Sequence, residues 1–291
     1  MNEQRVVNAK VVGNKGNIWN KILLAIVLVC VGAAGMYAVM KLNPGTTVVN
    51  KLEKEVTVNE NGIADAVEKV YNSVVVVENY RSNKLQATGT GFIFKKDGNK
   101  YYVMTNYHVI ESSSKVKIVL TDDTNTEVEV VGGDKYADIA VLSFTSSNDL
   151  TVAEIGSSTD GRVGDTTFAV GAPLDSSTYS WTVTRGILSG KDRMVAVSTT
   201  NSTSSDYIMR VLQTDAAINS GNSGGPLCNS NGQVIGVTNM KLVSSGVEGM
   251  GFAIPIEDAM DFANKIINGD DITRPRLGIS MIELSVAESY Y

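Results

Sequence analysis

The chain has a single histidine, His108, and a distant glycine-rich run, Gly221–Leu227, that contains Ser223. A serine hydroxyl is a weak nucleophile at neutral pH, so a catalytic serine needs a base beside it, and imidazole is the usual one. The base in turn needs a carboxylate that holds its ring in one orientation. Asp138, which precedes an apolar segment, could supply that carboxylate. We therefore predict that His108, Asp138 and Ser223 form a catalytic triad.

Each of these three residues also has an ordinary explanation. A lone histidine near a strand end is more often structural than catalytic, a glycine-rich run can be a plain turn, and an aspartate before an apolar strand is often a cap. Their joint occurrence favours catalysis, because the chain order His, Asp, Ser is that of the chymotrypsin-type enzymes. Asp215 could compete with Asp138, but it lies close to Ser223 in sequence, and we predict a structural role for it.

The glycines around Ser223 suit a second part of such a site. When a serine attacks a carbonyl, negative charge develops on the carbonyl oxygen, and backbone N–H groups that point at one position stabilise it. Gly221 can adopt backbone angles that a bulkier residue resists. We predict that the N–H groups of Gly221 and Ser223 form this oxyanion hole.

The elements that position these residues are predicted to be strands. Short β-branched and aromatic runs alternate with turn residues, and Asn231-Gly232 is typical of a hairpin. Their spacing and the scarcity of helix favour an all-β sandwich or pair of barrels over a parallel α/β sheet. Short helices are expected after Asn61-Gly62 and over 259–267, where Gly269 would end the helix. The predicted strands are 74–77, 91–94, 101–105, 116–120, 127–131, 139–144, 166–170, 182–188, 208–214, 226–228, 233–239 and 251–254.

An uncharged apolar run, Ile22–Met40, lies near the N-terminus between two lysines. At about 1.5 Å per residue it spans roughly 28 Å, close to the ~30 Å of a bilayer's hydrocarbon core. A cleaved secretory signal has a shorter apolar core and a small-x-small cleavage site, which Gly35–Ala38 matches poorly. We predict an uncleaved membrane anchor, with a cleaved signal and a buried soluble helix as the alternatives.

Charge around this run predicts its orientation. Basic residues outnumber acidic ones before it, whereas lysines and glutamates alternate over 51–55 after it, which favours an N-terminus inside the cell. The rest of the chain would then be extracytoplasmic.

The net charge of −6, with no cluster of Lys and Arg, argues against a nucleic-acid partner. Cys30 lies in the apolar run and Cys228 far from it, so no disulfide is predicted within the globular part.

Six segments together resemble the HtrA (DegP/DegS-like) family of trypsin-like serine proteases. The resemblance covers roughly residues 61 to 268. It implies a chymotrypsin/trypsin-like double β-barrel with the triad in the cleft between the barrels, no metal and no cofactor. By position in the motifs, the family's catalytic residues fall on His108, Asp138 and Ser223. The six segments are Thr88–Ile93, Thr105–Ile110, Ala137–Leu142, Gln213–Asn219, Gly221–Leu227 and Gly251–Pro255.

The resemblance also implies that the substrates are unfolded or damaged proteins. It further implies a homo-oligomer, which in this family is usually a trimer. The expected organisation is a single-pass protein of the cell membrane, bound to the lipid bilayer through its N-terminal helix. The predicted parts are a cytoplasmic segment 1–21, a transmembrane helix 22–40, a linker 41–60, a protease domain 61–268 with barrels over about 61–150 and 151–268, and a tail 269–291.

Among the departures from the family pattern, two concern the oxyanion loop and the C-terminal tail. Where the family has Asn-Pro-Gly-Asn-Ser, this chain has Ser220 in place of the proline, which frees the φ angle there and is expected to loosen the oxyanion loop. Arg274–Ile279 resembles the opening of a PDZ domain, but only a short tail follows it. We therefore expect 269–291 to be the start of a truncated PDZ domain.

The substrate pocket is predicted partly by resemblance. Trypsin-like enzymes that cut after Lys or Arg carry an acid six residues before the serine. Here this position is Ala217, which disfavours a basic residue immediately before the cleaved bond of the substrate. By resemblance, Ile218 and the strand with Val237, Thr238 and Asn239 would line the pocket, which implies small or medium apolar residues.

The function predicted from the sequence is that of a membrane-anchored serine endopeptidase for extracytoplasmic proteins. One alternative is a catalytically inactive protease-fold module that binds or chaperones proteins, which would lack a triad member or have a blocked oxyanion loop. An esterase is a second alternative. It would need a Gly-x-Ser-x-Gly elbow between a strand and a helix, whereas the run after Ser223 is predicted to be a strand.

Overall fold

The computed structural model describes residues 17–42, 63–171, 181–197, 207–219, 221–239 and 249–274. The chain divides into two compact units, Met1–Thr57 and Val58–Tyr291. In the first unit a single described element, helix α1, covers Asn17–Leu42. Its segment Trp19–Ala38, with a mean hydropathy of 2.1, is long and apolar enough to cross a membrane, although a signal sequence would pass the same test. The choice between anchor and signal therefore stays a prediction.

In the second unit the described strands form two closed barrels of six strands each, and neighbouring strands in each barrel are antiparallel. The first barrel has the order β1-β2-β3-β6-β5-β4 and the second β10-β11-β12-β9-β8-β7. The all-β double barrel predicted from the sequence is thus confirmed. The strands are β1 Val74–Arg81, β2 Lys84–Asp97, β3 Lys100–Thr105, β4 Lys115–Val119, β5 Asn125–Asp134, β6 Ile139–Thr145, β7 Thr166–Gly171, β8 Thr182–Val197, β9 Tyr207–Thr214, β10 Pro226–Asn229, β11 Val234–Thr238 and β12 Gly251–Pro255.

Among the described residues, three short helices flank the barrels. They are α2 Ile63–Tyr71 before β1, α3 Tyr107–Ile110 after β3, and α4 Ile256–Asn268 after β12. Helix α4 ends as predicted, because Gly269 has a φ of 72° and its N–H donates to the carbonyl of Ile266 at 3.2 Å. The prediction that His108 lies at the end of a strand needs a correction: β3 ends at Thr105, and His108 lies in the single turn of α3.

Strand β8 extends well beyond the predicted 182–188. The register of its pairing with β9 shifts between Leu188 and Gly190 and again between Gly190 and Arg193, and the hairpin then continues to Val197. The polar residues of these bulges interrupt the apolar alternation, so the sequence pattern alone ended the strand too early.

Strand β1 shows how the two barrels are joined. Successive side chains of a strand point to opposite faces, and here both faces are buried. Val75 and Val77 pack inside the first barrel, whereas Val74 packs in a cluster that both barrels share. The shared cluster includes Phe92, Met104 and Val141 from the first barrel and Phe168, Val170, Val237 and Ile254 from the second. A fully buried side chain of this kind contributes roughly 1.5–3 kcal/mol, so the shared cluster fixes the barrels against each other.

Candidate active site

Asp138 lies at the end of the turn between β5 and β6. The carboxylate of Asp134 stabilises this turn, because its Oδ1 accepts the backbone N–H of Tyr136 at 2.9 Å and that of Ala137 at 2.6 Å. Asp138 itself has a φ of 53°, which residues with a side chain rarely adopt. Its surroundings therefore have to hold it in this conformation.

The Asp138 carboxylate binds His108 twice. The ring Nδ1 of His108 lies 2.6 Å from Oδ2, and the backbone N–H of His108 donates to Oδ1 at 2.9 Å. With Nδ1 donating its proton to the carboxylate, Nε2 is the basic nitrogen of the ring. The side chain of Asp138 is almost fully buried, whereas that of His108 is 25% exposed, so the ring can meet a substrate.

A third hydrogen bond to this carboxylate comes from the second barrel. Nδ2 of Asn239, the residue after β11, donates to Oδ2 of Asp138 at 2.8 Å, and both side chains are buried. Asn239 was predicted only as a pocket residue, and its contact with Asp138 was missed. The available indication was a polar residue directly after the buried apolar strand β11, but it does not identify the partner.

The helical turn that carries His108 is held at both ends. Asn106, before it, donates from Nδ2 to the carbonyl of Asp138 at 2.9 Å. Asn79 of β1 donates from its side chain to the carbonyls of Val109 at 2.9 Å and Glu111 at 3.1 Å, at the end of the turn. Two buried asparagines thus fix the position of the ring relative to Asp138.

The first barrel also holds the loop that carries Ser223. The backbone N–H of Thr90 in β2 donates to the carbonyl of Ser223 at 2.9 Å, and its hydroxyl donates to the carbonyl of Gly221 at 2.6 Å. Gly89 separates the loop from α3: a Cβ atom on it would lie 2.7 Å from the side chain of Val109 and 3.2 Å from the carbonyl oxygen of Ser223. These contacts place the backbone of Ser223 beside the helical turn that carries His108, and the triad itself stays a prediction.

Glycines let this loop approach the first barrel closely. Gly224 has a φ of 86°, and a Cβ atom on it would overlap the carbonyl oxygen of Thr90 and the hydroxyl of Thr105. From the second barrel, the hydroxyl of Thr238 donates to the carbonyl of Asn222 at 2.5 Å. Gly221, a predicted oxyanion-hole residue, has a φ of 103°, in the region that favours glycine. The role of its N–H and that of Ser223 as oxyanion donors stays a prediction.

The predicted pocket residues have varied surroundings. Ala217 is exposed, and its carbonyl accepts from Thr184 at 2.9 Å, whereas Ile218 packs in the core of the second barrel. Val237 belongs to the cluster shared by the barrels, and the side chains of Thr238 and Asn239 make the contacts given above. No contact of the described residues tests the pocket assignment, which stays a prediction. Ser220 and most of the tail 269–291 lie outside the described residues.

Two further groups can be assigned a structural role. Asp215 Oδ1 accepts the backbone N–H of Ile187 at 2.6 Å, in agreement with the role predicted for it. Cys228 is fully buried, and burial raises the pKa of its thiol, which disfavours the thiolate and so makes it a poor nucleophile.

Comparison with known proteins gives consistent matches. A family model described as "Trypsin-like peptidase domain" matches residues 89–237. "Serine protease Do-like HtrB" of Bacillus subtilis is 41% identical over 80% of this chain and 53% of its own length. "Serine protease Do-like HtrA" of Lactococcus lactis subsp. cremoris is 36% identical over 93% of this chain and 74% of its own length. The chain thus spans about half the length of the Bacillus relative.

Among solved structures, a serine endoprotease from Yersinia pestis superimposes with a TM-score of 0.62 at 32% identity. The superposition covers 75% of this chain and 71% of that one. At this identity the likeness concerns the family as well as the fold.

Proposed function

The chain belongs to the HtrA family of trypsin-like serine proteases, and on this premise we propose that it is a serine endopeptidase. In our assignment Ser223 is the nucleophile, His108 the general base and Asp138 the carboxylate that orients the base. The observation that carries the proposal is the pair of hydrogen bonds that the ring and the backbone N–H of His108 donate to the carboxylate of Asp138.

The reaction would proceed in two halves. In the first, Ser223 Oγ attacks the carbonyl carbon of a peptide bond while Nε2 of His108 takes the hydroxyl proton. The oxyanion is stabilised by the N–H groups of Gly221 and Ser223, and His108 then gives its proton to the leaving amine. In the second half, His108 takes a proton from a water molecule that attacks the acyl-enzyme, and it then gives this proton to Ser223 Oγ as the acid product leaves. Asp138 stabilises the imidazolium in both halves.

We also propose that the chain is anchored in the cell membrane by α1, with its N-terminus inside and its protease domain 61–268 outside. The apolar segment Trp19–Ala38 and the charge bias around it support this arrangement. Digestion of spheroplasts with an external protease tests it: the domain should be degraded without detergent.

The proposed substrates are unfolded or damaged proteins. The proposed assembly is a homotrimer, and light scattering of the detergent-solubilised chain measures its mass directly.

Labelling with a fluorophosphonate probe tests the catalytic assignment. We expect the probe to modify Ser223, and we expect Ser223→Ala and His108→Ala to lower casein hydrolysis by several orders of magnitude. Ser143→Ala, which removes another buried serine hydroxyl, is the control and should keep both labelling and hydrolysis. A wild-type chain that binds unfolded casein but is neither labelled nor active would instead support the binding or chaperone module.

A further inference from the structure

The guanidinium group of Arg274 lies against the turn that carries Asp138. Its Nη1 donates to Oδ2 of Asp134 at 2.8 Å, and its Nη2 donates to Oδ1 of the same carboxylate. It also lies 5.0 Å from the ring centroid of Tyr136 and 5.5 Å from that of Phe262 in α4. A two-pronged pair of this kind, placed beside two aromatic rings, fixes the orientation of both partners.

The partner of Arg274 is the residue that shapes the turn. Oδ1 of Asp134 accepts the N–H groups of Tyr136 and Ala137, so one carboxylate binds both the arginine and the backbone of the turn. The side chain of Asp134 is 10% exposed. Without Arg274 it would be a largely buried negative charge with no counter-ion, which is unfavourable unless the carboxylate moves towards water. Such a movement would release the two N–H groups.

Asp138, the residue after Ala137, depends on this turn. Its φ of 53° is held by its surroundings, and its carboxylate must stay within hydrogen-bond distance of His108. We propose that Arg274 is a positioning residue of the triad, which acts through Asp134 to keep Asp138 beneath His108. The inference rests on the proposed function. It makes the segment after α4, in which Arg274 lies, a part of the catalytic machinery.

The chain provides a matched control in Arg210. Its Nη2 donates to Oδ1 of Asp258 at 2.6 Å, and its Nη1 lies 3.3 Å from Oδ1 of Asp192. Arg210 and Arg274 line the same cavity of about 270 Å³, and their side chains are 44% and 36% exposed. The carboxylates that Arg210 binds belong to α4 and β8 rather than to the Asp138 turn. Removing Arg210 therefore changes charge and packing as much as removing Arg274 does, but it does not release the Asp138 turn.

The single histidine provides a readout that does not require activity. In the full chain, solubilised in detergent and labelled with ¹³C,¹⁵N-histidine, the imidazole signals come from His108 alone. We expect Arg274→Ala to move these signals towards those of Asp138→Asn, in which the orienting carboxylate is lost. Arg210→Ala should give the wild-type spectrum. Wild-type imidazole signals in Arg274→Ala would overturn the proposal.

Kinetics give the second readout. We expect Arg274→Ala to lower kcat for casein roughly 10- to 100-fold with little change in KM, because a displacement of about 1 Å in an active site has an effect of this size. Added guanidinium ion should restore part of the rate of Arg274→Ala but not change that of Arg210→Ala. Arg274→Lys keeps the charge but not the two-pronged geometry, so its kcat should lie between those of the wild type and Arg274→Ala. It replaces the alanine variant in this test if that variant does not fold.

The outcomes separate the two proposals. A loss of kcat in Arg274→Ala no larger than that in Arg210→Ala, or a change confined to KM, would contradict the positioning role. A wild-type chain without labelling or hydrolysis would contradict the proposed function. In that case the histidine spectra still decide whether Arg274 holds Asp138 beneath His108.

Discussion

The turn that carries Asp138 and the loop that carries Ser223 are held by different means. The Asp138 turn depends on charged and amide side chains: Asp134, Arg274, Asn239 and Asn106. The Ser223 loop depends on threonine hydroxyls, backbone hydrogen bonds and glycines that allow close approach. The first region should therefore be sensitive to changes of charge and hydrogen bonding, and the second to changes of volume.

The largest effect is expected from added volume in the Ser223 loop. In Gly224→Ala the new methyl group would overlap backbone and side-chain atoms of the first barrel, at a φ that disfavours any side chain. We expect the free energy of unfolding to fall by more than about 3 kcal/mol and labelling of Ser223 to be lost. Thermal unfolding and fluorophosphonate labelling measure the two effects.

Gly98→Ala is the control for this variant. Gly98 has a φ of 57°, but a Cβ atom on it would meet nothing within 4 Å. It should therefore show only the conformational cost, roughly 1–2 kcal/mol. Equal losses in the two variants would mean that close packing against the first barrel does not hold the loop.

A smaller effect is expected when the Asp138 turn loses a hydrogen bond. Asn239→Ala removes the donor to Oδ2 of Asp138, and a hydrogen bond to a charged group contributes about 1.5–3 kcal/mol. We expect kcat to fall roughly 10- to 100-fold, with KM for casein nearly unchanged. Asn268→Ala, on the exposed end of α4, should leave kcat at the wild-type value. A change in KM alone would indicate that Asn239 serves the substrate pocket instead.

The smallest of the three effects is expected from a hydroxyl of the first barrel that binds the Ser223 loop. Thr90→Val keeps the shape of the side chain but leaves the buried carbonyl of Gly221 without its 2.6 Å donor. This should cost about 1–3 kcal/mol of stability and reduce the labelling rate less than Asn239→Ala does. Thr90→Ser keeps the donor and should restore the labelling rate. If valine and serine behave alike, the hydroxyl does not hold the loop.

The comparison also shows what sequence could predict. The strands followed from local alternation and turn residues, because these signals depend on neighbours along the chain, whereas the double barrel followed from the resemblance to the HtrA family. The candidates His108, Asp138 and Ser223 followed from residue type and motif. The contact between Asn239 and Asp138 joins residues that lie 101 positions apart, and no local pattern contains it.

The same limit applies to the pair of Arg274 and Asp134, whose positions are 140 apart. The sequence marked Arg274 only as part of a segment that resembles the opening of another domain. Its contact with the Asp138 turn depends on how α4 packs on the first barrel, which is set by tertiary structure. Sequence therefore predicted the candidate reacting groups but not the side chains that hold them in place.

The cluster shared by the barrels has a consequence for folding. Val74, Phe92 and Met104 would face water in an isolated first barrel, and Phe168 and Ile254 would do so in an isolated second one. During synthesis the first barrel is complete before the residues that cover this face have been made. We therefore expect neither half to be a stable intermediate, so that Ser223 and His108 come together only when both barrels have folded.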